Sequence, residues 1–233
     1  MKKPVCVVVG VGPGNGAALA RRFAAEGYAV ALLARSVEVS AALAGELDSS
    51  RAYACDVSDA ASVKATFAAI RSELGDVDVL VFNAGGGTWG SVEEITPEAF
   101  EASWRVNALG ALLASQEVIP AMKLAGSGAI VFIGATASLR GMPTTAAFAP
   151  AKAAQRVLAE SMARSLGPSG IHVALIIVDG VVDLPRTRAR LPDKSDDFFI
   201  KPADLAESAL FLARQPRSAW SFSIEARPFG ERW

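Results

Sequence analysis

The chain has 233 residues, 52% of them apolar and 20% charged, a balance that excludes a disordered polyelectrolyte and allows a sizeable core. A formal net charge of −1 gives no electrostatic reason to expect nucleic acid or an anionic membrane as a partner. A single histidine, His172, leaves no metal-ligand spacing, and two cysteines, Cys6 and Cys55, make no disulfide framework, so a reducing cytoplasm is expected.

The N-terminal "MKKPVCVVVGVGPGNGAALA" has the lysines, apolar run and small residues of a secretory leader, but glycine, proline and asparagine break the run. It reads instead as a buried strand over 4–10 and a helix over 15–27 that Gly27 can end. Strands follow at 28–35 and 52–57, and Ser58 offers an N-cap to a helix over 59–74. After a strand at 77–83 comes one long helix, 96–122, with Thr96 as cap and Pro97 at its first position. A strand at 128–134, a helix from 148 to the Gly-Pro at 167–168, a strand at 171–180, a helix at 202–215 and a strand at 220–229 complete the chain. No run approaches the roughly 18 apolar residues of a membrane span.

Strands that are apolar at nearly every position are buried on both faces. Their alternation with helices predicts right-handed βαβ units and an α/β fold: one domain over 1–233, with a doubly wound parallel sheet of about seven strands. The basic run "RTRARLPDK", 186–194, is followed by Asp196 and Asp197 and reads as a solvated loop. Residues 181–200 are the expected lid over a substrate, with Phe198 and Phe199 facing it. The tryptophans Trp89, Trp104, Trp220 and Trp233 read as core or interface anchors.

The first strand runs into Gly10, Val11, Gly12, Pro13, Gly14, Asn15 and Gly16. Glycines there let the backbone approach a pyrophosphate, and the helix that follows supplies unpaired N–H groups and partial positive charge. The second strand ends at Arg35 and Ser36, where a carboxylate would suit the ribose 2′-hydroxyl of NAD(H). An arginine suits a 2′-phosphate, so NADP(H) is favoured over NAD(H).

With "CDV" at 55–57, "NAG" at 83–85, Asn107 in "VNALG" and Lys152 in the helix after the fifth strand, the chain resembles the short-chain dehydrogenase/reductase family from residue 4 to about 215. The resemblance implies a Rossmann-type fold, oxidoreductase activity and homodimers or homotetramers built through helices near 97–122 and 148–166. It implies adenine contacts from Asp56 and Val57, and a cofactor cleft lined by Asn83, Ala84 and Gly85 and, after the sixth strand, by Gly180 and Val182. Asn107 would hold a relay water by kinking its helix. Lys152 would bind the nicotinamide ribose and depress the pKa of a tyrosine four residues earlier, and a serine thirteen residues before that tyrosine would polarise the substrate carbonyl.

Those two positions are Phe148 and Ala135. The family's Pro-Gly after the sixth strand reads Asp179-Gly180, its threonine is Leu184, and its doubled asparagine is Phe82-Asn83. Thr136, Ser138, Lys152 and Asp179 are the candidates to supply the missing proton or hydrogen bond. Two readings follow: an NADP(H)-dependent oxidoreductase acting on a small apolar carbonyl or activated alkene by a non-standard proton route, or a catalytically silent NADP(H)-binding sensor or scaffold.

Overall fold

The computed structural model describes residues 2–230. Seven parallel strands, β1 (Val5–Val9), β2 (Ala29–Ala34), β3 (Ser50–Ala54), β4 (Val79–Phe82), β5 (Gly128–Ile133), β6 (Ile171–Val178) and β9 (Ser223–Ala226), form one sheet in the order β3-β2-β1-β4-β5-β6-β9. Between β6 and β9, the two-residue strands β7 (Val181–Val182) and β8 (Phe199–Ile200) pair with each other in a separate ribbon.

Each central strand feeds two cores because its side chains alternate between the two faces. Val5, Val7 and Val9 of β1 join Phe67 and Ile70 of α3 (Ala60–Glu73), Ala114 and Val118 of α5 (Gly110–Ala125), and Met162 of α6 (Phe148–Leu166). Cys6 and Val8 face the other way, onto Leu19 and Phe23 of α1 (Asn15–Ala25), Leu43 of α2 (Glu38–Glu46), and Leu205 and Leu210 of α8 (Pro202–Ala213). Burial on both faces is why alternation of polarity is missing from these strands.

Several elements depart from the sequence reading. β3 lies at 50–54, so Cys55, Asp56 and Val57 follow it rather than lie within it. The N-cap of α3 is Asp59, whose carboxylate accepts from the N–H groups of Ala61 and Ser62; Ser58 is bonded to Asp56 instead. The helix expected over 96–122 is three pieces: α4 (Pro97–Trp104), a π-helical turn (Arg105–Leu109), and α5, which carries Pro120 within it and runs on to Ala125. Thr96 does cap α4, accepting from the N–H of Ala99 at 3.2 Å. α2 was not foreseen, and neither was α7 (Pro185–Arg190), which replaces the expected basic loop. Trp233 and the end of the "RPFGERW" tail lie outside the described residues. Among those residues no helix is long and apolar enough to cross a membrane, and no group of three or more His, Cys, Asp or Glu could hold a metal.

Candidate active site

The glycine-rich turn sits at the C-terminal end of β1, the end at which open parallel sheets present their ligand crevice. Gly10 has φ +89°, and a Cβ there would lie 2.6 Å from Cα of Ala84. Gly16 is held as tightly, since its Cβ would meet Cα of Val11 at 2.6 Å. Asn83 clamps the same junction by donating from Nδ2 to the Gly10 carbonyl at 2.7 Å. The N-terminus of α1 has no side-chain cap and no acidic residue in its first turn, and Oδ1 of Asn15 is buried without a partner. Such an end favours an anion. Gly12 has open space above it, while the side chain of Leu184 rests over Gly14.

Arg35 and Ser36 are exposed at the rim beyond β2, and the Ser36 hydroxyl donates to the Glu38 carboxylate. Asp56 is exposed nearby and is held below the usual carboxylate range by hydrogen bonds from the Ser58 side chain and backbone, with Arg35 adding to the effect. Val57 is buried and packs under Gly110, where a Cβ would approach within 2.9 Å. At the far end Gly180 has φ +155° and lies against Pro228, and Val182 pairs with Ile200 between β7 and β8.

The centre of the site is the segment after β4. Gly85 faces both Lys152 and Asn107: a Cβ on it would lie 3.2 Å from Nζ of the lysine and 3.3 Å from Oδ1 of the asparagine. The π-turn carries Asn107 inward, fully buried, and its Nδ2 donates to the carbonyls of Gly86 (2.6 Å) and Ser103 (2.8 Å). Its Oδ1 is buried with no partner, pointing at the shared space above Gly85. Lys152, on the inner face of α6, donates to the carbonyl of Ile133 at 2.9 Å and to Oε1 of Gln155 at 3.1 Å. Burial pulls its pKa down to about 8, because a desolvated ammonium is disfavoured.

Phe148 opens α6 one turn before the lysine. The lysine does not lie over its ring: the ring stacks instead on Trp89, with centroids 5.5 Å apart and planes at 24°. Gly87 fits against Phe148, where a Cβ would sit 3.1 Å from the ring. Trp89 is 64% exposed, so it is neither a core anchor nor covered on its outer side. Ala135 is extended at the end of β5 and carries no hydroxyl. Of the candidate replacements, Thr136 donates to Oδ1 of Asp179 at 2.5 Å and to the Val178 carbonyl at 3.2 Å. Asp179 is further paired with Arg227 at 3.2 Å, and Ser138 is buried. Phe198 and Phe199 pack edge to face with each other, under Lys194 and Arg188 respectively.

This arrangement sets an uncapped, glycine-rich helix end beside a lysine and an asparagine that converge next to an aromatic wall. The short chain dehydrogenase family matches residues 4–194. The chain belongs to the short-chain dehydrogenase family. A 2-(R)-hydroxypropyl-CoM dehydrogenase of Xanthobacter autotrophicus is 34% identical over 227 residues, covering 90% of each chain. A short-chain dehydrogenase structure from Rhodopseudomonas palustris is 34% identical with a TM-score of 0.84, covering 98% of this chain and 100% of the other. An alcohol dehydrogenase from Thermococcus sibiricus, solved with 5-hydroxy-NADP, is 28% identical with a TM-score of 0.88 over 99% and 98%.

Sequence reasoning missed four members of this short-chain dehydrogenase site: Gly86, Gly87, Trp89 and Gln155. The triple glycine at 85–87 was the available signal: Gly85 faces Lys152 and Asn107, the Gly86 carbonyl accepts from Asn107, and Gly87 lies against Phe148. Gln155 gave a weaker one, a polar residue three places beyond a lysine on an otherwise apolar helix face.

Proposed function

We propose that the chain is an NADP(H)-dependent oxidoreductase that reduces a small apolar carbonyl compound or activated alkene, with the proton drawn from water. The convergence of Lys152 and the unpartnered Asn107 Oδ1 on Gly85, next to the apolar Phe148–Trp89 stack, carries this reading. The residues fit a dinucleotide: an uncapped α1 N-terminus for the pyrophosphate, Arg35 at the rim for a 2′-phosphate, and Lys152 for ribose hydroxyls. When bound, the nicotinamide supplies a hydride. The chain's own groups orient the ribose through Lys152 and exclude water on one side through Phe148 and Trp89.

Each reduction adds one hydride and one solvent proton to the substrate and leaves hydroxide. An activated alkene suits the site best, because hydride addition gives an enolate, which is less basic than an alkoxide and needs no strong acid beside it. A positioned acid is worth roughly 10²–10⁴-fold, and this site does without one. Glu38 puts a carboxylate on the Ser36 hydroxyl, next to Arg35 in the chain, so NADPH and NADH are to be titrated side by side.

A second reading, a silent NADP(H) sensor or scaffold, is favoured by one observation: the Thr136 hydroxyl beside Ala135 is already engaged by Asp179 and Val178. Both readings expect NADP(H) binding by calorimetry. They part on turnover with a panel of ketones, aldehydes, enones and imines, followed as loss of NADPH absorbance. Oxidation well above the protein-free rate, abolished in Lys152→Ala, establishes the oxidoreductase; silence across the panel with tight binding establishes the sensor. The same proposal takes the protein as a cytoplasmic homodimer or homotetramer, with exposed Phe100, Trp104 and Val157 on the helices that would meet.

A further inference from the structure

Gln155 is fully buried on the inner face of α6, amid Ala151, Ala159 and Met162, where an aliphatic side chain would complete the core. Its carboxamide uses both ends: Oε1 accepts from Lys152 Nζ at 3.1 Å, and Nε2 donates to the Asn107 carbonyl at 3.1 Å. The π-turn brings that carbonyl within reach, for its i→i+5 bonding, seen where the Gly110 N–H donates to Arg105, widens the helix. We propose that Gln155 is a positioning residue that ties Lys152 to Asn107 through a fixed side-chain bridge.

The geometry bears on what Lys152 can do. Two of its three N–H donors are committed, to Ile133 and Gln155, which aims the third at the space above Gly85 shared with Asn107 Oδ1. A water in the bridge could hand a proton along; an amide, whose nitrogen only donates and whose oxygen only accepts, holds the link without passing one. Lys152 is therefore a fixed binding cation and not the head of a proton wire through Asn107. That the third donor meets a nicotinamide ribose rests on the function proposed above; the bridge itself does not.

No ion pair to Lys152 is found among the described residues, and burial alone accounts for its lowered pKa. The charged groups on the elements packed against α6 point elsewhere. Glu98 is exposed, Glu101 pairs with Arg105, Arg156 with Glu160, and His172 is bonded to the carbonyls of Leu212 and Ser221. An acceptor at position 155 is thus the main adjustable influence on the ammonium.

The test is a ¹³Cε-lysine NMR titration of the cofactor-free protein, with Lys152→Met assigning the resonance. The wild-type midpoint is expected at about 8. Gln155→Glu, which keeps shape and supplies a carboxylate, should raise it by about one pH unit or more, and Gln155→Leu should lower it by a similar amount. NADPH affinity at pH 7 should fall about tenfold in Gln155→Leu, with no further fall when Gln155→Leu is added to Lys152→Met. Unmoved midpoints in both variants, with only the melting temperature lowered, would overturn the bridge. If the leucine variant does not fold, an unmoved midpoint in Gln155→Glu is enough to do so. Shifted midpoints in a protein that takes up no NADPH would support the bridge and overturn the cofactor reading.

Discussion

Phe148 differs from tyrosine by one oxygen atom, and its ring is already seated against Trp89 and Gly87. Restoring the hydroxyls in Phe148→Tyr with Ala135→Ser should therefore raise ketone reduction by roughly 10²–10⁴-fold, measured as NADPH oxidation. A double variant no faster than wild type would show that Asp179–Leu184 has rebuilt the substrate side as well. Lys152 makes a second prediction. Its folded pKa, about 8, is below the value near 10.4 of an unfolded lysine, so the buried ammonium is a cost that is fully present below pH 8. Between about pH 8 and pH 10.4 the unfolded chain binds more protons, and stability should rise with pH by up to ~3 kcal/mol. Urea midpoints across that range should show this slope in wild type and not in Lys152→Met. Phe148, Ala135, Asn107 and Lys152 were placed by the family resemblance; the engagement of Thr136 by Asp179 was not legible, because the two are 43 residues apart and meet only across β5 and β6.

Among the elements, those with long apolar runs were found, though the helix over 96–122 is broken and β3 is displaced to 50–54, while α2 and α7 were missed. α2 exposes Val39 and buries only Ser40 and Leu43, so it has no apolar stripe for a helical period to reveal. α7 and its flanking two-residue strands are held by the Arg188 guanidinium on Asp183 and Asp196, by Arg188 over the Phe199 ring, and by the Thr187 hydroxyl on Val182, contacts that leave no pattern in a sequence. The start of α3 turned on the choice between adjacent Ser58 and Asp59, both good N-caps. Since Asp59 holds two N–H groups, Asp59→Ala should cost about 1 kcal/mol in urea unfolding. The break in the helix over 96–122 is a backbone change with no proline or glycine at its centre, and it is what delivers the Asn107 carbonyl to Gln155.

For the molecule as a whole, one histidine joins the end of α8 to the segment leading into the sheet's far edge. Both ring nitrogens of His172 lie within 3.0 Å of carbonyl oxygens, on Leu212 at the end of α8 and on Ser221 ahead of β9, and its ring stacks on Trp220 at 4.8 Å. His172→Phe keeps the stack and removes the polar contacts, so stability should fall by about 1–3 kcal/mol. NADPH affinity should hold, since His172 is at the start of β6 and the cleft is at the strand ends. The sequence by itself determined the strand-and-helix alternation, the two-faced burial of the sheet and the glycine-rich turn, because each is written in neighbouring residues; the two absent hydroxyls were placed by the resemblance to the family. Only the tertiary structure decided which polar groups are already spent: Thr136 on Asp179, and Gln155 on Lys152 and Asn107. A hydrogen-bonding partner is set by which distant elements pack together, and a side chain's type does not say where it will be satisfied.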